Sequence, residues 1–403
     1  MCKRSRRLSR WYFFSASMLL ASTLIGCQSS HEKWVNAADQ RWLSVRTVLM
    51  LDMAQQQFDT GDLEQSERTV KEAMTIDPTN AQLHVLAGRI ELERGHLERS
   101  YHMFNAAIML DGTLAEAHYY QALVFQRWQN YQAAYDSYTL AYEARPDNSA
   151  YLIARGEMLV SLGRIDEAIV LLEEKLNYFD QNASLRAAIG HMYDMNGQDD
   201  KAVSYFRQAS ILDPDNLKVV EELGLSQIAA EQYEQGIETL TRLLAKAEMQ
   251  DRHDLKRVLA SAYIEVGRLQ DARDILIEVS RKDPADVDNW IELGELAWKN
   301  RDYGGTLQAA HRVISLAPYR HEGYLLAGMV WQKRGRVEDA LSNYDQAAQL
   351  APNSAMPLIL RGITLQKEGR NQAAAEAYRQ SLQREPDNIR AKKLLQMVAD
   401  ASQ

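Results

Sequence analysis

HEGYLLAGMVWQKRGRVEDALSNYDQAAQLAP, residues 321–352, reads as two helices folded back on one another. Tyr324, Gly328 and Trp331 recur at the i, i+4, i+7 spacing of one helical face, and Ala340, Tyr344 and Ala347 do the same after the break. The break is Gly335, a residue that takes the left-handed conformation closing a helix without a Cβ penalty. Pro352 has no amide hydrogen to continue the second helix and stops it. Gly328 and Ala340, one on each helix, are small enough to let the two backbones approach closely.

The same unit recurs along the chain. Ala54, Gly88, Ala122, Gly156, Gly190, Gly224, Ala260, Gly294, Gly328 and Gly362 are spaced by 34 residues, apart from one step of 36 between Gly224 and Ala260. Twelve residues after each comes a second small residue or threonine: Ser66, Ser100, Ala134, Ala168, Ala202, Gly236, Ala272, Thr306, Ala340 and Ala374. Seven of the units carry a glycine midway, and seven of the chain's eight prolines close a unit at one fixed place. Asn80, Asn148, Asn182, Asn216 and Asn388 fall where a side-chain oxygen can cap the next helix. Phe104, Tyr138, Leu172, Phe206, Tyr344 and Tyr378 are the large residues of the second helices, expected to fill the space between units.

A self-similar period in this range marks a solenoid. The period and pattern resemble the tetratricopeptide repeat, most closely at 321–352 and at 183–214 (Gly190, Tyr193, Gly197, Ala202, Phe206, Ala209, Pro214). The resemblance implies an all-α, right-handed α-solenoid. Ten repeats are expected over 47–386, starting near 47, 81, 115, 149, 183, 217, 253, 287, 321 and 355. A capping helix and tail follow over 387–403, since an array needs a polar outer end. Three places depart from the pattern: Lys175 and Asp180 in repeat four, two extra residues before His253, and Gly304-Gly305 at the start of a second helix. They read either as hinges or as ordinary repeat degeneracy.

Residues 1–26 have the form of a secretory signal. Five basic groups occupy the first ten positions, and Trp11 to Ile25 carry no charge, too short a run for an ordinary spanning helix. Leu24-Ile25-Gly26-Cys27 resembles the bacterial lipobox. That resemblance implies cleavage before Cys27, lipidation of its thiol, and stable anchoring by several acyl chains. Gln28, where an aspartate would favour retention in the inner membrane, implies the outer membrane and its periplasmic face. Residues 27–46 would then be tether and leading helix. The seven residues from Cys27 to Trp34 reach about 25 Å when extended.

Removing the signal leaves 41 Lys and Arg against 55 Asp and Glu, a balance near −14. So acidic a surface disfavours nucleic acid, because phosphate contacts need clustered positive charge. Cys2 and Cys27 are the two cysteines of the sequence, so no disulfide framework or zinc cluster is expected. The nine histidines show no metal-ligand spacing, and His102 and His118 read as surface or packing residues. There is no HExxH, P-loop, GxGxxG, EF-hand or GxSxG motif. No cofactor, no metal and no enzymatic activity are expected.

In the family that the repeats resemble, the first helix of each pair lines the concave, ligand-facing side. The resemblance therefore implies partner contacts at Tyr119, Arg127, Ile153, Ile291, Trp298, Lys299, Leu325, Met329, Lys333 and Lys367, with Glu157, Arg257, Glu295 and Ile359 on the same side. Several of these also suit packing between repeats. Lys299, Lys333 and Lys367 recur every 34 residues, which fits either a ladder for an acidic partner or simple complementarity to helix C-termini. A lipid-anchored array of this kind resembles pilotin and tight-adherence pilus-assembly lipoproteins, with a secretin or pilus subunits as implied partners. Two other readings stand beside it: an adaptor for peptidoglycan hydrolases and proteases, and a helper of exopolysaccharide export. Oligomeric state is not legible.

Overall fold

The computed structural model describes residues 34, 35, 38, 39 and 41–400. Cys27, the 1–26 segment and half of the expected tether and leading helix, residues 27–46, lie outside the described residues. The described residues are helical throughout, with no strand among them. They divide into two compact units, one ending at Met192 and one beginning at Tyr193.

The first unit holds α1 (41–59), α2 (Leu63–Ile76), α3 (Ala81–Glu93), α4 (Leu97–Leu110), α5 (Ala115–Arg127), α6 (Tyr131–Ala144), α7 (Ser149–Ser161) and α8 (Ile165–Glu173). The boundary falls within α9 (Ala183–Met195). The second unit continues with α10 (Asp199–Leu212), α11 (Leu217–Ala229), α12 (Tyr233–Leu244), α13 (His253–Glu265), α14 (Leu269–Lys282) and α15 (Val287–Lys299). It ends with α16 (Tyr303–Leu316), α17 (His321–Lys333), α18 (Val337–Leu350), α19 (Met356–Lys367), α20 (Asn371–Arg384) and the terminal α21 (Ile389–Asp400). From α2 to α8 in the first unit and from α10 to α21 in the second, each helix packs on its neighbour in the chain, giving stacks of helical hairpins. The odd-numbered helix through α19 is the first of each pair, the even-numbered one the second.

The small residue of each first helix is required by a specific neighbour. A Cβ built on Gly88 would lie 2.5 Å from the Phe104 ring, and one on Gly328 would lie 2.6 Å from Tyr344. Gly224 would meet Leu240 at 2.6 Å in the same way. As the sequence pattern predicts, these large side chains reach the next unit, Phe104 stacking on Tyr120 with ring centroids 5.6 Å apart and Leu240 clustering with Leu255 and Leu259, and each also lies against the glycine of its own hairpin. The reason is geometric: sixteen positions separate each pair, which brings the large residue directly across the turn. Where the second small residue is serine, its hydroxyl donates across the hairpin, Ser66 to Ala54 O and Ser100 to Gly88 O, both at 2.8 Å. Buried tyrosine hydroxyls find glutamine partners by the same twelve-residue rule: Tyr138 to Gln126 at 3.0 Å and Tyr378 to Gln366 at 2.9 Å. All five asparagines anticipated as caps accept a backbone N–H of the helix that follows.

The seven midway glycines all have positive φ, between 66° and 83°. In the three hairpins of the 81–386 array that lack a midway glycine, Gln129, Glu231 and Arg301 take the same conformation at φ of 58° to 60°. A side chain there costs roughly 1–2 kcal/mol. Replacing Arg301 or Glu231 by glycine relieves that strain but loosens the unfolded chain. The expected net gain is about 0.5–1 kcal/mol per site, measured by urea denaturation; a loss of stability at both sites contradicts the strain argument.

The irregular places have local explanations. In repeat four α8 stops at Glu173 after nine residues. The two extra residues before His253 fall beside a short 3-10 turn, Ala247–Met249. Gly304 and Gly305 remain helical, in the first turn of α16, where the Asp302 carboxylate accepts from Gly305 N at 2.9 Å. At the start of the array, α1 turns Met50 and Ala54 inward but leaves Trp42, Val45, Leu49 and Met53 exposed.

Candidate functional site

In α15, α17 and α19 the residues one turn apart on a single face come to line one depression within the second unit. Trp298 and Lys299 stand at the end of α15, Leu325 and Met329 on α17, and Met356 and Leu360 on α19. Glu295, Glu322 and Arg390 complete the rim, Arg390 coming from α21. The cavity measures about 500 Å3. That lies within the size range of sites that receive a large side chain or a small molecule.

The walls are fixed by contacts outside the cavity. The Trp298 indole leans on Tyr303 with ring centroids 5.3 Å apart. Arg320 holds Glu322 at 2.8 Å and Asp288 at 3.0 Å. Lys299 lies 3.9 Å from Glu265. Burial is the largest single influence on the Glu322 carboxyl and raises it, but the Arg320 hydrogen bond, the residue's own backbone hydrogen bond and the neighbouring His321 and Arg320 charges together outweigh it and hold the group below its ordinary range. Glu295 has no such donor. Burial pushes its carboxyl up, with Lys299 opposing and Glu322 adding to the shift. Farther along α15, Arg257 reaches toward Asp286, Asp288 and Glu292 at 3.4, 3.6 and 3.9 Å. The depression thus joins apolar surface from Trp298, Leu325, Met329, Met356 and Leu360 to the charges of Glu295, Glu322, Lys299 and Arg390. It can take an apolar anchor flanked by charge; it offers no paired acid and base aimed at a common point. Among the described residues no helix is long and apolar enough to cross a membrane, and no three His, Cys, Asp or Glu side chains gather as metal ligands.

Five of the residues singled out from sequence, Glu295, Trp298, Lys299, Leu325 and Met329, meet in this cavity. Lys333 and Lys367 are exposed and stand outside its lining. Ile291 is only 8% exposed and belongs to the core, so the contact role assigned to it is corrected: its position on the helix turns it inward. Ile359 is likewise buried. In the first unit Tyr119 is half-buried among Tyr120, Tyr138 and Tyr151, its ring 5.0 Å from that of Tyr151. Ile153 is half-buried and Arg127 is exposed at the end of α5. His118 is buried, with Nε2 3.0 Å from Gly112 O, a packing role.

Glu322, Met356, Leu360 and Arg390 were missed. The first three occupy the second and sixth positions of their repeats, one turn before the positions that had been followed, and that face arithmetic would have found them. Arg390 lies outside the repeat frame, and no periodic signal points to it.

Three family models, each described as a tetratricopeptide repeat, match the chain at residues 96–288, 257–321 and 358–388. Among curated proteins it is similar to an Arabidopsis thaliana protein CTR9 homolog, 32% identical over 69 residues, which is 17% of this chain and 6% of that protein. It is also similar to Caenorhabditis elegans tetratricopeptide repeat protein 8, 24% identical over 194 residues, 47% of this chain and 37% of the relative. The chain thus spans well under half the length of either relative. Among solved structures, that of Pseudomonas aeruginosa pilF superposes with a TM-score of 0.45 and 14% identity, over 53% of this chain and 98% of the other. With hairpins repeating every 34 residues and repeat models matching across most of them, the chain is a tetratricopeptide-repeat protein.

Proposed function

We propose that this protein is a non-catalytic, lipid-anchored scaffold on the periplasmic face of the outer membrane, where it gathers partner proteins for an envelope machine such as a pilus or secretion system. The binding part of the reading is carried by one observation: Trp298, Leu325, Met329 and Leu360 present apolar surface in a cavity rimmed by charge. Such sites anchor a side chain of a partner segment. The membrane part rests on the lipobox-like Leu24-Ile25-Gly26-Cys27. A tethered array raises the effective concentration of whatever it holds.

Two measurements test the two parts separately. In-cell cross-linking with mass spectrometry is expected to recover a secretin or pilus subunits; recovery of peptidoglycan hydrolases or proteases makes the protein an adaptor for cell-wall enzymes instead. Cys27→Ala is expected to move the protein from the membrane to the soluble fraction with its helical circular dichroism intact. Retention of that variant on membranes defeats the anchor. For the groove, Trp298→Ala combined with Leu325→Ala is expected to weaken capture of the cross-linked partner at least tenfold, about 1.4 kcal/mol. Unchanged capture locates the contact elsewhere.

A further inference from the structure

A second cavity, of about 380 Å3, opens between α14 and the α15–α16 hairpin. It shares no lining residue with the groove described above: its walls come from α14, α16 and another face of α15. Local departures from the repeat shape it. At the place of Arg273, eight of the ten repeats carry an apolar residue, Val203, Ile237, Leu307 and Leu341 among them. At the place of Gly305 no other repeat has glycine. One wall therefore carries a guanidinium where an aliphatic side chain is usual, and the other lacks a side chain.

The chemistry is asymmetric. Leu269, Arg273, Ile277 and Arg281 follow one another every four residues and form one face of α14. Arg273 and Arg281 are both exposed and have no ion-pair or hydrogen-bond partner among the described residues. Nearby carboxylates of α14 are engaged elsewhere: Asp271 with Arg268 at 2.7 Å, Asp274 with Gln270 at 2.8 Å, and Glu278 with Lys256 at 2.7 Å. Asp302, the carboxylate in the lining, caps α16. Opposite stands Trp290, whose Nε1 already donates to Pro284 O at 3.0 Å, leaving the ring as an apolar surface. In a chain of net charge −9, two unpaired arginines framing an apolar cleft are complementary to an acidic partner.

We propose that this cleft binds an extended acidic peptide segment of a partner protein, with a large apolar side chain between Ile277 and Trp290 and a carboxylate toward each arginine. The arginines are eight residues apart, which is about 12 Å along a helix. In an extended strand, residues i and i+4 point the same way about 13 Å apart, with i+2 between them on that face. The recognised pattern is therefore acidic, any, apolar, any, acidic. This site does not depend on which envelope partner occupies the groove.

The test uses the full chain and a fluorescein-labelled heptapeptide, Ser-Glu-Ala-Phe-Ala-Glu-Ser, followed by fluorescence anisotropy. Saturable binding is expected, weakened at least tenfold when both glutamates become glutamine and again when phenylalanine becomes alanine. Arg273→Leu restores the residue type of other repeats and should fold; it and Arg281→Gln are each expected to raise Kd at least tenfold. Trp298→Ala, in the groove, should leave Kd unchanged. Equal binding of the glutamine peptide, no binding at all, or indifference to both arginine variants overturns the proposal. Loss of binding in Trp298→Ala overturns it too, by placing the peptide in the groove. Saturation by octanoate without any binding of the peptide assigns the cleft to a small amphiphile and overturns the peptide occupant.

Discussion

Tyr344→Ala is expected to destabilise the second unit by about 3–5 kcal/mol, the range for emptying a fully buried aromatic position. Tyr344 has no solvent exposure, and its ring lies against Gly328, with its hydroxyl 3.4 Å from Gln332 Oε1. The alanine variant therefore leaves a cavity between α17 and α18 that the backbone cannot close, because helices packed on both sides hold them. Tyr344→Phe keeps the ring and removes the hydroxyl's long hydrogen bond to Gln332 and its interaction with Thr364, and should cost about 1 kcal/mol. Gly328→Leu fails for the opposite reason, since its side chain would enter the ring's space. The combination of Gly328→Leu with Tyr344→Ala should recover part of both losses, a coupling that separates shape complementarity from simple loss of apolar area. Hydrogen exchange of α17 and α18 amides is the suitable readout, because repeat arrays need not unfold in one step. Additive losses in the double variant contradict the close-approach argument.

The fold was legible because the constraints that make it are covalent and local. Gly335 and Pro352 mark where helices stop whatever surrounds them, and a fixed spacing of 34 forces each hairpin to meet the next in the same way. The sequence also identified the positions that must be small, but not the side chain that each one accommodates: Gly328 takes the Tyr344 ring of its own hairpin. Turns without glycine were less legible. Nothing in the identity of Gln129, Glu231 or Arg301 announces a positive φ; the repeat geometry imposes it on them. The groove was half legible. Trp298, Lys299, Leu325 and Met329 follow from helix-face arithmetic, whereas Ile291 obeys the same arithmetic and is buried. Burial there depends on how closely the adjacent hairpin approaches, a tertiary property with no signature in one repeat. The cleft lined by Arg273 and Gly305 was hidden for a different reason: each residue is unremarkable alone, and only the packing of α14 against α16 brings them to one space.

Glu292→Gln is expected to raise stability at pH 8 and to flatten the rise in stability that the unsubstituted protein shows as pH falls toward 4.5. Burial pushes the Glu292 carboxyl up from 4.5 to about 7; Arg257 opposes the shift, and Asp286, Asp288 and Glu295 add to it. The folded protein therefore holds this proton more tightly than the unfolded chain does. Between pH 4.5 and 7 the native state binds more protons, so stability falls as pH rises. The favourable contribution is fully present below 4.5 and is gone above about 7. Undiscounted, a shift of this size corresponds to about 3 kcal/mol at 1.36 kcal/mol per pKa unit. The side chain is 34% exposed, and solvent screening reduces this contribution to about 1–2 kcal/mol. Glutamine keeps the shape and never ionises, so the variant should match the parent near pH 4.5 and exceed it at pH 8. Urea denaturation at the two pH values decides the matter: equal differences between variant and parent at both would show that Glu292 titrates alike in the folded and unfolded chain, its burial offset by Arg257 3.9 Å away.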